Sequence, residues 1–139
     1  MTGNATAAPL LRRAMQADGM VSGASGLLLA LLPGPIGAFI GFAEPAYLFG
    51  VGAGLICYAA WLLFSARRPA INFWAGRMAI LLNLLWVAAS AALLLAMPGL
   101  FNGLGRWLVA LVALVVADFA LVQYVGLRWA SRMIAARMA

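Results

Sequence analysis

Five polar side chains interrupt the long apolar segments of this 139-residue chain, and they are the residues best suited to chemistry. They are Asp18, Arg77, Asn83, Asp118 and Gln123. A charged side chain deep in a membrane costs about 2.5–3.5 kcal/mol, so such residues usually face the protein interior, pair there and serve a function. Asp118 with Arg77 could handle a proton or a polar substrate. The alternative is a hydrogen bond or ion pair that only locks the register of two helices.

The residue types that are missing exclude much of the remaining chemistry. The chain has no His and only one Cys, Cys57, so it predicts no haem or metal centre, no dithiol redox pair and no cofactor. It also lacks the Lys that a Schiff base requires. No constellation for hydrolysis is visible, and the sequence therefore predicts a protein that is not an enzyme.

The composition predicts that these side chains are positioned by membrane-spanning helices. Hydrophobic residues make up 67% of the chain and charged residues 9%, far from the proportions of a soluble domain. Segments of about 20 apolar residues can cross the hydrocarbon core as helices. Four such spans are predicted, at about 14–32, 45–66, 73–97 and 104–127. They predict an all-α integral membrane protein, an antiparallel four-helix transmembrane bundle, because the connections are short.

The segments between the spans are turns with little room for another domain. Pro33-Gly34-Pro35 must end the first helix. The apolar segment 36–43 is either a short half-helix or partly re-entrant. The predicted organisation is an N-terminal segment 1–13, a transmembrane domain 14–128 and a C-terminal tail 129–139.

The arginines predict the orientation of the bundle. The net charge of +6 comes from nine arginines and three acids. Eight arginines lie at one end of the predicted spans and Arg106 alone lies at the other, which puts both termini in the cytoplasm by the positive-inside rule. Because the arginines form short clusters between apolar segments rather than a basic patch, nucleic acid is not a predicted partner. The predicted partner is the lipid bilayer.

Depth along straight helices predicts which polar residues meet. With a rise of about 1.5 Å per residue, Asn83 and Asp118 share one level near the midplane. Arg77 and Gln123 share a second level, closer to the cytoplasm. The predicted pairs are therefore Asn83 with Asp118 and Arg77 with Gln123, although Arg77 could also reach Asp118 or extend to the headgroups. Asp18 either joins this cluster or reaches the interface.

Three more side chains, Ser22, Ser25 and Tyr58, lie near the same polar level. Trp86 falls in the middle of the third span, away from the interfaces where Trp is usually enriched. It either fills space between helices or lines a ligand pocket.

Small residues predict close packing of the first two spans. Gly19, Gly23 and Gly26 share one face of the first span, and Gly50 and Gly54 form a Gly-x-x-x-Gly pair in the second. Helices associate in lipid through close backbone contact, which small residues permit. Packing within the chain is the favoured interpretation, and homodimerisation is the alternative.

Several short motifs resemble a family of small four-span bacterial inner-membrane proteins whose function is uncharacterised. The resemblance is carried by Asp18, by Ala66-Arg67-Arg68, by Asn83-x-x-Trp86-x-x-x-Ser90 and by Gln123-x-x-Gly126-Leu127-Arg128. It covers most of the chain and implies a multi-pass protein of the bacterial inner membrane. The architecture is also similar to that of DoxX-like four-helix proteins, whose motifs are not found here. Neither resemblance implies an activity or a ligand.

Two functions follow from these expectations. The first is a small non-catalytic accessory or assembly subunit of a larger membrane complex, which suits a short chain with glycine-rich faces. The second is a small proton- or substrate-coupled carrier that uses an intramembrane site at Asp118 and Arg77. Because four spans are few for a carrier, this second function would require a homodimer.

Overall fold

The chain is helical throughout the part that the structure describes. This computed structural model describes residues 9–70 and 72–138, and of Arg137 only the backbone. It contains, within those residues, no strand and five helices. These are α1 (Pro9–Leu31), α2 (Pro33–Ile40), α3 (Pro45–Arg67), α4 (Phe73–Ala96) and α5 (Gly103–Met138). The predicted all-α class is therefore confirmed. Residues 1–8 of the predicted N-terminal segment, and Ala139 at the end of the predicted tail, lie outside the described residues.

Local chemistry sets most helix ends. Prolines occupy the first turn of α2 and α3, where the missing N–H would have no helical partner. The side chain of Asn72 accepts a hydrogen bond from the backbone N–H of Trp74 at 3.0 Å and so caps α4. Two helices exceed the predicted spans: α1 begins at Pro9 rather than near residue 14, and α5 continues to Met138 through the predicted tail.

The predicted break after the first span is a sharp bend. The axes of α1 and α2 differ by 95° across Leu32. The segment left open by the sequence is therefore helical as far as Ile40, and it ends at Gly41, whose φ of 76° is left-handed. Three helices, α3, α4 and α5, are long and apolar enough to cross a membrane, and α1 with α2 adds a fourth if the bent pair is one span.

The closest helix pair is α1 with α3, and glycines form the contact. A Cβ atom on Gly52 would lie 2.6 Å from the backbone nitrogen of Ala30 and 2.7 Å from the carbonyl oxygen of Gly26. Gly19 and Gly23 also face α3, with Leu63 and Ala59 as their nearest neighbours. The small-residue face predicted on the first span therefore lies against the second.

The Gly-x-x-x-Gly pair predicted to pack does not take part in this contact. Gly50 and Gly54 are exposed, and a Cβ atom on either would meet no atom within 4 Å. Successive helical residues are about 100° apart, so Gly52 points away from both of them. The motif matched the spacing of a packing surface, but the buried face of α3 is the one that carries Gly52.

The arginine-rich end of the fold is closed by a small core and by the half-buried Arg12. Leu11 and Leu62 are fully buried there beside several alanines. The guanidinium of Arg12 donates hydrogen bonds to the carbonyl oxygens of Ala66 at 2.7 Å and Pro69 at 3.1 Å. A cation at the C-terminus of α3 also interacts favourably with the helix dipole. Arg12 therefore joins the start of α1 to the end of α3.

The opposite end is held by Asn102. Its backbone N–H donates to the carbonyl oxygen of Ile40 at 2.9 Å, and its side-chain amide donates to that of Phe39 at 2.9 Å. Its side-chain oxygen accepts from the N–H of Gly105 at 2.7 Å, which caps the start of α5. One residue thus joins α2 to α5. The most extensive helix contacts are α1 with α3 and α4 with α5, whereas α3 and α4 meet at few positions.

Candidate functional site

Asp18 lies at the centre of a buried polar cluster between the long helices. Its Oδ2 atom accepts hydrogen bonds from the Tyr58 hydroxyl at 2.8 Å, the Asn83 amide at 2.8 Å and the Gln123 amide at 2.7 Å. Its Oδ1 atom accepts from the Ser22 hydroxyl at 3.0 Å. Asp18 is only 1% exposed, Asn83 4% and Gln123 0%. These five residues are called the Asp18 cluster below.

Each of the four long helices contributes to the Asp18 cluster because small residues bring the backbones close together. Asn83 lies one turn after the buried Ala79 on α4. Gln123 lies between Ala120 and Gly126, both buried, at spacings of three residues on α5. Residues three and four apart share a helix face. The polar side chains therefore point into the same interior space as the small residues. The small residues let the helix backbones approach closely around that space.

The hydrogen-bond donors around the Asp18 carboxylate are all neutral groups. A carboxylate oxygen accepts hydrogen bonds and a buried one requires donors, since an unpaired buried charge is very costly. All four partners of Asp18 are hydroxyl or amide groups, and none of the arginines whose side chains are described donates to it. No group of three His, Cys, Asp or Glu side chains in the same residues could hold a metal ion. The arrangement joins four helices at one point and fits the register lock that the sequence left open.

Asp118 lies outside the Asp18 cluster, contrary to the predicted pairing with Asn83. It is exposed on α5, and Asn83 instead donates to Asp18 and, at 3.3 Å, to Gln123. Asp118 precedes Gln123 by five residues, which turns it about 140° away around the helix. Asp118 and Gln123 cannot both face inward. Gln123 does so because the small residues around it form the packed face of α5.

Arg77 is also outside the cluster, contrary to the predicted pairing with Gln123. It is exposed and lines a shallow groove between α4 and α5 together with Tyr124 and Arg128. On α4 it lies about 120° around the helix from Asn83. No ion pair joins Arg77 to Asp118 in the described part of the chain. The structure thus brings together Asp18, Asn83 and Gln123 of the predicted residues and separates the other two.

Two members of the cluster were not among the predicted site residues, although a signal for each was present. Ser22 follows Asp18 by four residues, the spacing that places two side chains on one face of a helix. Tyr58 lies at the predicted polar depth next to Ala59, which is buried against Gly23. Their depth was readable from the sequence, but the face on which each lies was not.

A cavity of about 490 Å³ adjoins the Asp18 cluster. Ser22, Tyr58 and Asn83 form its polar side, and Asp18 itself is not among the lining residues. The other walls are mostly apolar and come from α1, α3, α4 and α5, with Gly54 and Trp86 among them. Trp86 therefore lies at the wall of a cavity rather than in a solid helix contact. The cavity volume lies within the range of about 300–1,000 Å³ that is usual for small-molecule sites.

The comparisons with known proteins add nothing to this geometry: no protein-family model, no curated protein and no solved structure matches the chain.

Proposed function

We propose that this chain is a non-catalytic accessory subunit of a larger membrane complex, which docks another membrane protein through the exposed side of α5. In this proposal the chain is a multi-pass protein of the bacterial inner membrane, and its four long helices form an antiparallel transmembrane bundle. The observation that carries the proposal is the position of Asp118, a charged residue exposed in the middle of an apolar helix surface.

The neighbours of Asp118 on α5 leave its carboxylate without a partner. Residues three and four positions away on either side are Leu114, Val115, Leu121 and Val122. All four are apolar and exposed, Leu114 by 61% and Leu121 by 60%. We call these four residues and Asp118 the Asp118 face. No hydrogen bond or ion pair within the described residues reaches the Asp118 carboxylate.

The depth of Asp118 makes lipid an unfavourable environment for this face. Asp118 lies about 4 Å from the middle of the predicted span 104–127, whereas the hydrocarbon core extends about 15 Å on either side of its centre. The short Asp side chain cannot reach the headgroups from there. Exposure to lipid would cost about 2.5–3.5 kcal/mol, which a donor or cation on a neighbouring helix would offset.

A different protein fits this face better than a second copy of the chain. A copy inserted in the same direction keeps each residue at its own depth, so it must offer Asp118 a donor from that level. Arg106 and Arg128 lie about 18 and 15 Å away along α5. Arg77 lies about 9 Å below the level of Asn83 and Gln123. Asp118 lies about 7 Å above that level, so Arg77 and Asp118 differ in depth by about 16 Å. The proposed partner is therefore a transmembrane helix with an arginine, a lysine or an amide near the midplane.

Photocrosslinking in native membranes tests this docking. A photoreactive amino acid replaces Leu114 or Leu121 on the Asp118 face, and Leu85, which is exposed on α4, provides a control position. We expect crosslinks from α5 to a protein whose transmembrane segment carries a basic or amide residue. Asp118→Leu should abolish them, and so should removal of that residue from the partner.

The control variant is Glu44→Gln, which removes the other exposed acid without touching α5. It should leave the crosslinks unchanged. Crosslinks only to lipid or to a second copy, or crosslinks that persist in Asp118→Leu, would show that Asp118 does not dock a partner. An increased thermal stability of Asp118→Leu in bilayers, with unchanged crosslinks, would have the same meaning.

The proposed orientation places both termini in the cytoplasm, supported by the asymmetric distribution of arginines. A periplasm-active reporter fused at the C-terminus should be inactive, and one inserted in the 98–103 turn should be active. The reverse pattern would contradict the proposed orientation. The carrier function is not favoured by a specific observation, because Asp118 and Arg77 do not form one site.

A further inference from the structure

Trp86 lines the cavity beside the Asp18 cluster, one turn along α4 from Asn83, and it carries an unused hydrogen-bond donor. We call this part of the cavity its polar end. The indole Nε1 of Trp86 is buried and has no hydrogen-bond partner in the described residues. Ser25 contributes a hydroxyl group to the same cavity. A buried donor without an acceptor costs about 1–3 kcal/mol. An occupant with an acceptor oxygen beside the indole would remove that cost.

The charges around the cavity indicate an uncharged occupant. No arginine or acid is among the lining residues. The one acid nearby, Asp18, lies behind Ser22, Tyr58 and Asn83, and both of its oxygen atoms already accept hydrogen bonds. A cationic ligand would therefore lack a free carboxylate, and an anionic ligand would lack a cation. Either would lose its hydration without compensation.

The walls away from the polar end suit a hydrocarbon body. They include Val51, Leu55, Val112 and Val116. The cavity walls come from α1, α3, α4 and α5, and α3 contacts α4 at few positions. The sparse contact between α3 and α4 is the place where we expect a molecule dissolved in the bilayer to enter.

We propose that this cavity is a binding site for an uncharged, lipid-soluble small molecule with a carbonyl or hydroxyl oxygen at one end. The oxygen lies at the polar end, within reach of Trp86 and Ser25, and the apolar body lies between α3 and α5. This site adjoins the Asp118 face, because Val115 belongs to both, but Asp118 itself is not among the lining residues.

Photoaffinity labelling of the full chain in nanodiscs tests this site. The probe is a long-chain primary alcohol that carries a diazirine in its tail, and the readout is the labelled fraction of the α5 peptide that contains Val112 and Val116. We expect labelling that excess unlabelled alcohol competes away. The same probe without oxygen, a diazirine alkane, and a diazirine alkylamine should each label this peptide less.

Two glycines provide a matched pair of variants. Gly54 lines the cavity and Gly50 does not, and both have open space where a side chain would be placed. Gly54→Phe should fill the cavity and remove the competed labelling, whereas Gly50→Phe should keep it. Trp86→Phe, which removes the donor but keeps an aromatic ring, should reduce labelling by the alcohol and leave labelling by the alkane unchanged.

Three results would overturn the proposal. Equal labelling of Gly54→Phe and Gly50→Phe would show that the probe binds elsewhere. Equal labelling by the alcohol and the alkane would show that the cavity holds only hydrocarbon tails. Stronger labelling by the alkylamine would show that Asp18 recognises a cation. Thermal unfolding of each variant in the same nanodiscs confirms that a loss of labelling does not come from loss of the fold.

Discussion

Replacing Asp18 by asparagine removes the charge from the centre of the Asp18 cluster and keeps its shape. The new side chain can place its amide oxygen where Oδ2 now accepts from Tyr58, Asn83 and Gln123 at 2.7–2.8 Å. Its amide nitrogen then faces Ser22, whose hydroxyl can rotate to accept. The fold should be retained, but three hydrogen bonds lose their charge assistance.

The expected cost follows from those three hydrogen bonds. A hydrogen bond to a charged group contributes about 1.5–3 kcal/mol and a neutral one about 0.5–1.5 kcal/mol, so three such bonds lose about 3–4.5 kcal/mol. Interhelical hydrogen bonds measured in membranes average about 0.6 kcal/mol, which lowers the expected loss to about 1–2 kcal/mol. We therefore expect Asp18→Asn to lower the free energy of unfolding by about 1–3 kcal/mol. Asp18→Leu should cost more, because it leaves the donors buried without an acceptor.

Reversible unfolding in mixed detergent micelles measures this change, followed by tryptophan fluorescence. The matched control is Asp118→Asn, which makes the same chemical change on the exposed side of α5. In the isolated protein it should change stability by less than about 0.5 kcal/mol. If both variants unfold with the same free energy, Asp18 does not hold the four helices together and the reasoning is wrong.

Three further predictions use the same unfolding assay. Gly52→Leu should destabilise the protein by more than about 2 kcal/mol, because a Cβ atom there would lie 2.6 Å from backbone, whereas Gly54→Leu should have little effect. Arg12→Gln should cost about 1–2 kcal/mol through the lost hydrogen bond to Ala66 and the lost charge at the end of α3. Asn102→Ala should cost about 1–2 kcal/mol, because it removes the cap of α5 and the side-chain bond to α2. A neutral result for Gly52→Leu would mean that α1 and α3 are not in close contact, and neutral results for the other two would mean that these end contacts are not stabilising.

The helices themselves were predictable because their signals are local. Long apolar segments, prolines at helix starts and the Pro33-Gly34-Pro35 break depend only on residues near each other in the chain. The constant rise per residue gives depth along one helix, but it did not give the offset between helices. Asn83 was predicted to lie level with Asp118, whereas it donates to Gln123, which was predicted to lie closer to the cytoplasm. The sequence therefore determined the all-α class and the approximate helix bounds.

The tertiary structure decided which side of each helix faces inward. A helix that is apolar on all sides has no polar face to orient it, so the same sequence pattern fits many rotations about its axis. The rotation comes from close contacts such as that of Gly52 with Gly26, and of Gly126 with Leu11. Those contacts bury Asp18 and Gln123 and leave Asp118 on the outside.

The direction of α2 was decided in the same way. The prolines predicted that the helix must end, but the 95° bend follows from contacts far away in the sequence. Asn102 holds Phe39 and Ile40 by hydrogen bonds across more than 60 residues. A break is a property of the local backbone, whereas the direction taken after it depends on the surface that the next segment meets.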